Sequence, residues 1–342
     1  MIDSLERKID YLRLSVTDKC NLRCIYCLPA GKRSAATRHF REECADKSSA
    51  DSFVHDYLTN KEIVHIASIA IKLGINKFRI TGGEPLVRPG ICDLTSDLIS
   101  LKGVNDVSLT TNGVLLNDFT RDLRAVGLKR INISLDTLNN NRFKEITRFG
   151  DLENVIAGIE SAIKVGFDPI KINVVVMKGI NSAEIHDFVN FAKQYRVHVR
   201  FIELMPIGEA GFLSTDRWLS LPEIMKRCGP LEPLEESQYP KGFGPAIYFK
   251  APGSKGTIGF IGALSAAFCQ NCNRLRLTSK GKLLPCLASD IGIDLKTLLR
   301  SRAADQDLAN LIVEAVSLKP GRHDMKTTCN KTAYPYMCML GG

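Results

Sequence analysis

The chain has 342 residues, 44% of them hydrophobic, enough to bury a full core and to support one large domain with a smaller one. Its formal charge of +9, from 46 Lys and Arg against 37 Asp and Glu, favours an anionic partner or a solvated basic surface. No run of about 18 apolar residues offers a membrane span, and residues 1–12, with Asp3, Glu6, Arg7, Lys8 and Asp10, lack the apolar segment of a secretory leader, so an aqueous, reducing compartment is expected.

In chain order, β-rich runs at residues 12–16, 78–80, 107–110, 130–135, 171–177 and 199–204 alternate with helical patterns. After Thr59, which makes a capping box with Glu62, the residues Ile63, Ile66, Ile69, Ala70 and Leu73 recur at helical spacing until Gly74 stops them. Leu152, Val155, Ile156, Ile159 and Ile163 form a similar stripe ending at Gly166, and both stripes read as core. Six strand–helix units imply a parallel sheet with right-handed crossovers, either doubly wound or curled into an incomplete barrel.

Ligands of such sheets sit beyond the carboxyl ends of the strands. The first strand runs into Cys20, Cys24 and Cys27, the second into Gly82-Gly83-Glu84-Pro85, and the third into Thr110-Thr111-Asn112-Gly113. The fourth ends at Ser134-Leu135-Asp136, the fifth at Lys178-Gly179 and the sixth at Glu203-Leu204-Met205-Pro206. Six polar or glycine-rich ends suggest one shared mouth. The expected fold is therefore α/β, an incomplete (β/α)6 barrel of the TIM type, with a smaller C-terminal α+β domain covering its open side.

Residues 28–56 form a polar insert containing Cys44, too long for an ordinary strand-to-helix connection and so either a lid or disordered. A shift to Gly, Pro and Glu after Pro206 places a boundary near 225–240, giving expected domains of 1–235 and 236–342. The second would hold strands at 246–250, 257–261 and 274–277, then a charged helical stretch over 295–316.

Cysteine is the most informative residue type. Cys20, Cys24 and Cys27 form one tight triplet; Cys269 and Cys272, with Cys286 further on, form a second. No His lies close to either, which disfavours a closed four-ligand zinc site, and an odd total of 11 in a chain of this size disfavours a disulfide framework. Three thiolates per site instead suit a cluster that leaves one iron open to a non-protein ligand. The singletons Cys44, Cys92, Cys228, Cys329 and Cys338 read as small packing residues.

Glycine pairs permit close backbone approach, so Gly82-Gly83 suits a tight site, and Glu84 offers acceptors for an ammonium group. Arg274 and Arg276 alternate with Leu275 and Leu277 directly after Cys272, which puts both guanidiniums on one face of a strand. Arg13, Arg79, Lys171 and Arg200 lie on four of the six strands, where interior cations call for a polyanion. No Ser-His-Asp ordering and no phosphate-binding Gly-x4-Gly-Lys loop is present.

The Cys20-x3-Cys24-x2-Cys27 triplet, the Gly82-Gly83-Glu84-Pro85 run and the six units together resemble the radical S-adenosylmethionine enzymes. The second triplet, the Arg274-Leu275-Arg276 strand and Gly341-Gly342 narrow the resemblance to the GTP 3′,8-cyclase family of molybdenum cofactor biosynthesis. That resemblance implies two 4Fe-4S clusters, on Cys20, Cys24 and Cys27 and on Cys269, Cys272 and Cys286. S-adenosylmethionine would be held by Tyr26, Gly82, Gly83, Glu84, Asn112, Ser134 and Met205. GTP would be held by Arg13, Lys77, Arg79, Thr110, Lys171, Arg200, Arg274, Leu275 and Arg276, with Arg274, Arg276, Gly341 and Gly342 at the chemistry.

A deoxyadenosyl radical would take hydrogen from the ribose C3′, and the carbon radical would attack C8 of guanine. The resemblance also implies a low-potential electron donor and a downstream cyclic pyranopterin monophosphate synthase, in the cytoplasm or the mitochondrial matrix of a eukaryote. It implies neither membrane nor nucleic acid as partner and is compatible with a homodimer. This chain departs from the pattern in its Met339-Leu340, its longer insert, and Cys329 and Cys338 in the tail. Two rivals stand beside it: another radical enzyme with an auxiliary cluster, such as a peptide modifier, and a non-catalytic iron–sulfur carrier. The first has no use for the Arg274 and Arg276 face, and the second should close each cluster with four thiolates.

Overall fold

A computed structural model describes residues 1–27, 56–207, 216–289, 291–325 and 337–341; residues 28–55 of the insert, Cys44, Cys329 and Gly342 lie outside them. The six β-rich runs form β1 (Tyr11–Ser15), β2 (Lys77–Thr81), β3 (Asp106–Thr111), β4 (Ile131–Ser134), β5 (Ile170–Val176) and β6 (His198–Glu203). Each pairs in parallel with the next. Between them run α1 (Asn60–Lys72), α2 (Ile91–Ser100), α3 (Leu116–Ala125), α4 (Asn140–Thr147), α5 (Leu152–Lys164) and α6 (Ile185–Gln194).

The capping box closes at both ends, with the Thr59 amide donating to Glu62 Oε2 at 2.7 Å and the Glu62 amide to Thr59 Oγ1 at 3.2 Å. Ile63, Ile66, Ile69 and Ala70 of α1 and Leu152, Val155 and Ile159 of α5 are buried against the sheet, as their helical spacing requires.

After α7 (Leu221–Arg227) come β7 (Glu232–Pro233), β8 (Ile247–Lys250), β9 (Thr257–Ile261), β10 (Arg274–Leu277), β11 (Lys282–Leu284) and β12 (Ile293–Asp294). They do not make a separate sheet: the strand order is β12-β11-β10-β1-β2-β3-β4-β5-β6-β9-β8-β7. Strand β9 adds in parallel to β6 and β10 adds in parallel to β1, so the C-terminal part extends both edges of an open barrel. The chain must therefore cross the opening between β9 and β10, and residues 262–273 carry Cys269 and Cys272 across it. Glu203 at the end of β6 anchors that crossing by accepting from the amides of Leu264 at 2.7 Å and Ser265 at 3.0 Å.

The stretch expected to be helical over 295–316 is two helices, α8 (Leu295–Arg300) and α9 (Asp305–Ser317). Arg302 takes a left-handed φ of 58° between them, a conformation that ends helices. A last short helix, α10 (Met337–Leu340), closes the described chain.

Strand register sets the site. Arg13 lies beside Arg276 on one side and Arg79 on the other, and Arg79 lies beside Ser108. Alternation sends Leu12, Leu14, Phe78, Ile80, Leu275 and Leu277 into the opposite, apolar layer under the helices.

Candidate active site

The loop after β1 carries the first triplet and packs backbone to backbone on the loop after β2. The Gly83 amide donates to Thr17 O at 2.7 Å and the Glu84 amide to Lys19 O at 2.8 Å. A Cβ at Gly82 would lie 2.6 Å from Thr17 O and one at Gly83 2.2 Å from Lys19 O, so this approach admits only glycine. From the other side, the Arg23 and Ile25 amides donate to Thr147 O and Ile146 O of α4.

The loop so held lines a cavity of about 200 Å³ with Cys20, Cys24 and Cys27, together with Tyr26, Gly82, Gly83, Thr110, Asn112, Ser134 and Met205. Burial, with Glu84 nearby, pushes the Cys20 thiol up to about 12; burial raises Cys24 as well. Thiols in such surroundings become thiolates only with a cation lodged among them. Among the described residues no three His, Cys, Asp or Glu side chains converge as tightly as a single metal ion requires. Three thiols lining one cavity fit a cluster, which spreads its ligands over separate irons.

Glu84 is not a cavity residue. Its carboxylate is fully buried and accepts from the Leu86 amide at 3.1 Å, Thr111 Oγ1 at 2.7 Å and the Asn112 amide at 2.7 Å. Burial still raises it to about 7. Its visible work is to hold Asn112, whose Nδ2 donates to Asn21 Oδ1 at 2.7 Å beside Cys20, rather than to receive an ammonium group. Tyr26 likewise donates to Asp136 at 2.6 Å, and burial pushes that carboxyl up to about 6.

The second triplet lines an adjoining cavity of about 170 Å³ with Arg13, Arg79, Arg200, Arg274 and Arg276, and no Asp or Glu is among its described lining residues. The buried Nε atoms of Arg13, Arg79 and Arg200 have no protein partner. Burial, sharpened by the neighbouring guanidiniums, holds Arg13 well below its usual range and brings Arg79 and Arg276 down to about 10. Buried donors without acceptors are costly, and an anion in the cavity removes that cost.

Lys319 donates to Cys272 Sγ at 3.5 Å, Arg274 O at 2.8 Å and Pro285 O at 2.9 Å, tying the two halves of the triplet together. Burial pushes Cys272 up, but Arg274 and Lys319 outweigh it and hold the thiol down at about 6. Arg7, paired with Asp3 at 2.6 Å, donates to Cys269 O at 2.9 Å and to Pro320 O at 3.0 Å. Asn173, Ile202, Met205 and Met337 line both cavities, so the two triplets look into one interior.

Comparison with known proteins decides the family. Residues 14–192 match the Radical SAM superfamily and residues 197–325 the family described as Molybdenum Cofactor Synthesis C. The GTP 3′,8-cyclase of Thermodesulfovibrio yellowstonii is 44% identical over 94% of this chain and 94% of its own length. That of Heliobacterium modesticaldum is 45% identical over 95% of each. The chain belongs to the GTP 3′,8-cyclase family. It is thus a radical S-adenosylmethionine enzyme of molybdenum cofactor synthesis, and the family carries that cofactor and an iron–sulfur cluster with it. Streptococcus suis SuiB bound to precursor peptide SuiA superimposes with a TM-score of 0.59 over 95% of this chain and 77% of its own, at 16% identity, which shows the fold alone.

Against the family pattern, four expected nucleotide contacts are not among the described residues lining the arginine-rich cavity, and one of them, Thr110, lines the cavity of the first triplet instead. Lys77 is held by Asp10 at 2.6 Å and lies over the Phe243 ring at 3.8 Å. Lys171 donates to Pro240 O at 3.1 Å and Lys241 O at 2.6 Å; burial, with Arg200 and Arg130 nearby, lowers it to about 6. Leu275 points into the apolar layer because it alternates with Arg274 and Arg276. In the tail, Arg276 Nη1 donates to Leu340 O at 3.2 Å and Gly341 O at 2.8 Å, which brings Gly341 against β1 and β2.

Four residues that motif spacing gave no reason to select also line the interior: Asn173, Lys319, His323 and Cys338. Cys338 was expected to be a packing residue, but it shares the cavity of the first triplet, whereas Cys228 does pack in the apolar core. The basic spread of strand residues was a legible signal for Asn173, which pairs in register with Arg200.

No helix among the described residues is long and apolar enough to cross a membrane.

Proposed function

We propose that this chain converts GTP to (8S)-3′,8-cyclo-7,8-dihydroguanosine 5′-triphosphate, the first step of molybdenum cofactor biosynthesis. The observation that carries this reading is the single interior with one cysteine triplet at each end, five arginines in the wall and no carboxylate among the described residues lining the arginine-rich half. Each triplet would hold a 4Fe-4S cluster. When bound, the cluster on Cys20, Cys24 and Cys27 with S-adenosylmethionine supplies a radical able to take a hydrogen atom from the ribose C3′.

The remaining work falls to the chain. Gly82 and Gly83 present backbone to the cofactor's cavity, and Asn112, Ser134 and Tyr26 offer polar contacts around it. Arg13, Arg79 and Arg200 supply the unpartnered donors that a triphosphate satisfies. Arg274, stacked on Phe268 with its guanidinium carbon 4.8 Å from the ring centre, sits beside Cys272 and orients the base. Ile202, Met205, Ile261 and Met337 provide apolar wall that keeps water from a reactive carbon centre. The first cluster would need a low-potential electron donor, and the cyclised product a downstream pterin-forming enzyme in the same compartment, the cytoplasm or the mitochondrial matrix of a eukaryote.

An anaerobic iron and sulfide determination on freshly purified protein tests the reading: about eight irons per chain are expected for two four-iron clusters. Zinc in place of iron would remove its basis. Arg274→Ala should weaken GTP binding by about ten- to a hundredfold, the loss of one charge-assisted contact of roughly 1.5 to 3 kcal/mol, with the iron content unchanged. Calorimetric titration with GTP measures it, and unaltered affinity would remove Arg274 from the site.

A further inference from the structure

The tail brings a fourth thiol to the first triplet. Cys338, on α10, is buried and lines the same cavity as Cys20, Cys24 and Cys27. Its position is fixed from both ends. Leu340, with Met337 beside it, packs into a small apolar cluster with Ile207, Leu284 and Met325. Arg276 grips the carbonyls of Leu340 and Gly341, and Gly341, at a φ of 73°, passes so close that a Cβ there would lie 2.8 Å from Thr81 Cγ2 and 3.0 Å from Ser15 Cβ. The other described singletons differ: Cys92 and Cys228 pack against the apolar core and line neither cavity.

We propose that Cys338 is a fourth, exchangeable ligand of the iron–sulfur centre held by Cys20, Cys24 and Cys27, occupying the open iron while the cofactor is away and yielding it to S-adenosylmethionine. The proposal rests on the reading of that triplet as a three-thiolate cluster site. In the exchange one iron–sulfur bond gives way to bonds from the amino nitrogen and carboxylate oxygen of the cofactor. The cofactor's ammonium group gives up one proton to bind as an amine, the released thiolate takes up one proton, and no electron moves. A thiol tethered in the same cavity competes at a high effective concentration, so it protects the open iron at the expense of apparent cofactor affinity.

The test compares the reconstituted full chain with its Cys338→Ala variant. Mild oxidation without cofactor strips an iron that lacks a protein ligand, leaving a paramagnetic three-iron cluster. Spin counting should give about one such cluster per chain in the parent, from the second centre, and about two in Cys338→Ala. Binding of S-adenosylmethionine by calorimetry should be about tenfold tighter in the variant, the competitor being gone. Equal spin counts, or equal affinities, would overturn the proposal. A parent and variant that both hold only about four irons, with none on the first triplet, would instead overturn the cluster reading beneath it and the proposal with it.

Discussion

Cys20→Ala is expected to abolish S-adenosylmethionine cleavage, whereas Cys269→Ala is expected to spare cleavage and lose the cyclised product. The two triplets share an interior but are held by separate frames. Cys20, Cys24 and Cys27 hang from the loop after β1, braced by Gly83, Glu84 and the end of α4. Cys269 and Cys272 belong to the segment crossing the open side, braced by Glu203, Arg7 and Lys319. Removing a thiol from one frame breaks no described hydrogen bond of the other. Chromatography of 5′-deoxyadenosine and of the cyclised nucleotide from the same reaction separates the steps, each falling to background in only one variant. Equal loss of both steps in both variants would sink the division of labour.

Strand positions and their polar ends were legible because period-two runs bounded by Gly and Thr have few other readings, and β1 to β6 begin and end within one residue of the expected runs. The two cysteine triplets were legible because tight spacing survives without knowledge of the fold. Long-range pairing was not. Nothing local in residues 257–261 or 274–277 says that one joins β6 and the other β1, although that choice is what carries Cys269 over the opening.

The function of individual charges was equally hidden. Glu84 looked like a ligand by its place after two glycines, yet it is buried outside the cavity lining with three donors from its own neighbourhood holding it. Lys171 has an inward-facing position, but the carbonyls of the 240–241 turn reach it first. Arg7 belongs to no motif in the sequence, and only the folded contact with Cys269 O reveals a brace. In each case a partner distant in sequence or an unmarked loop decides the role, and spacing carries no record of it.

Gly83→Ala should cost about 3 kcal/mol of stability and empty the first triplet of iron while leaving the second loaded. The added methyl would lie 2.2 Å from Lys19 O, 2.7 Å from Lys19 C and 2.8 Å from Asp18 O. All three are backbone atoms, so no rotamer change relieves the collision. Either the bonds from Gly83 to Thr17 O and from Glu84 to Lys19 O break, or residues 17–19 move and take Cys20 with them. Both routes reach the first triplet before they reach the core. Gly166→Ala is the control: its φ of 82° strains alanine, but nothing lies within 4 Å, so the cost should stay near 1 kcal/mol with iron unchanged. Iron analysis beside urea unfolding distinguishes them. Full iron and normal cofactor cleavage in Gly83→Ala would show that the first triplet does not depend on this backbone contact.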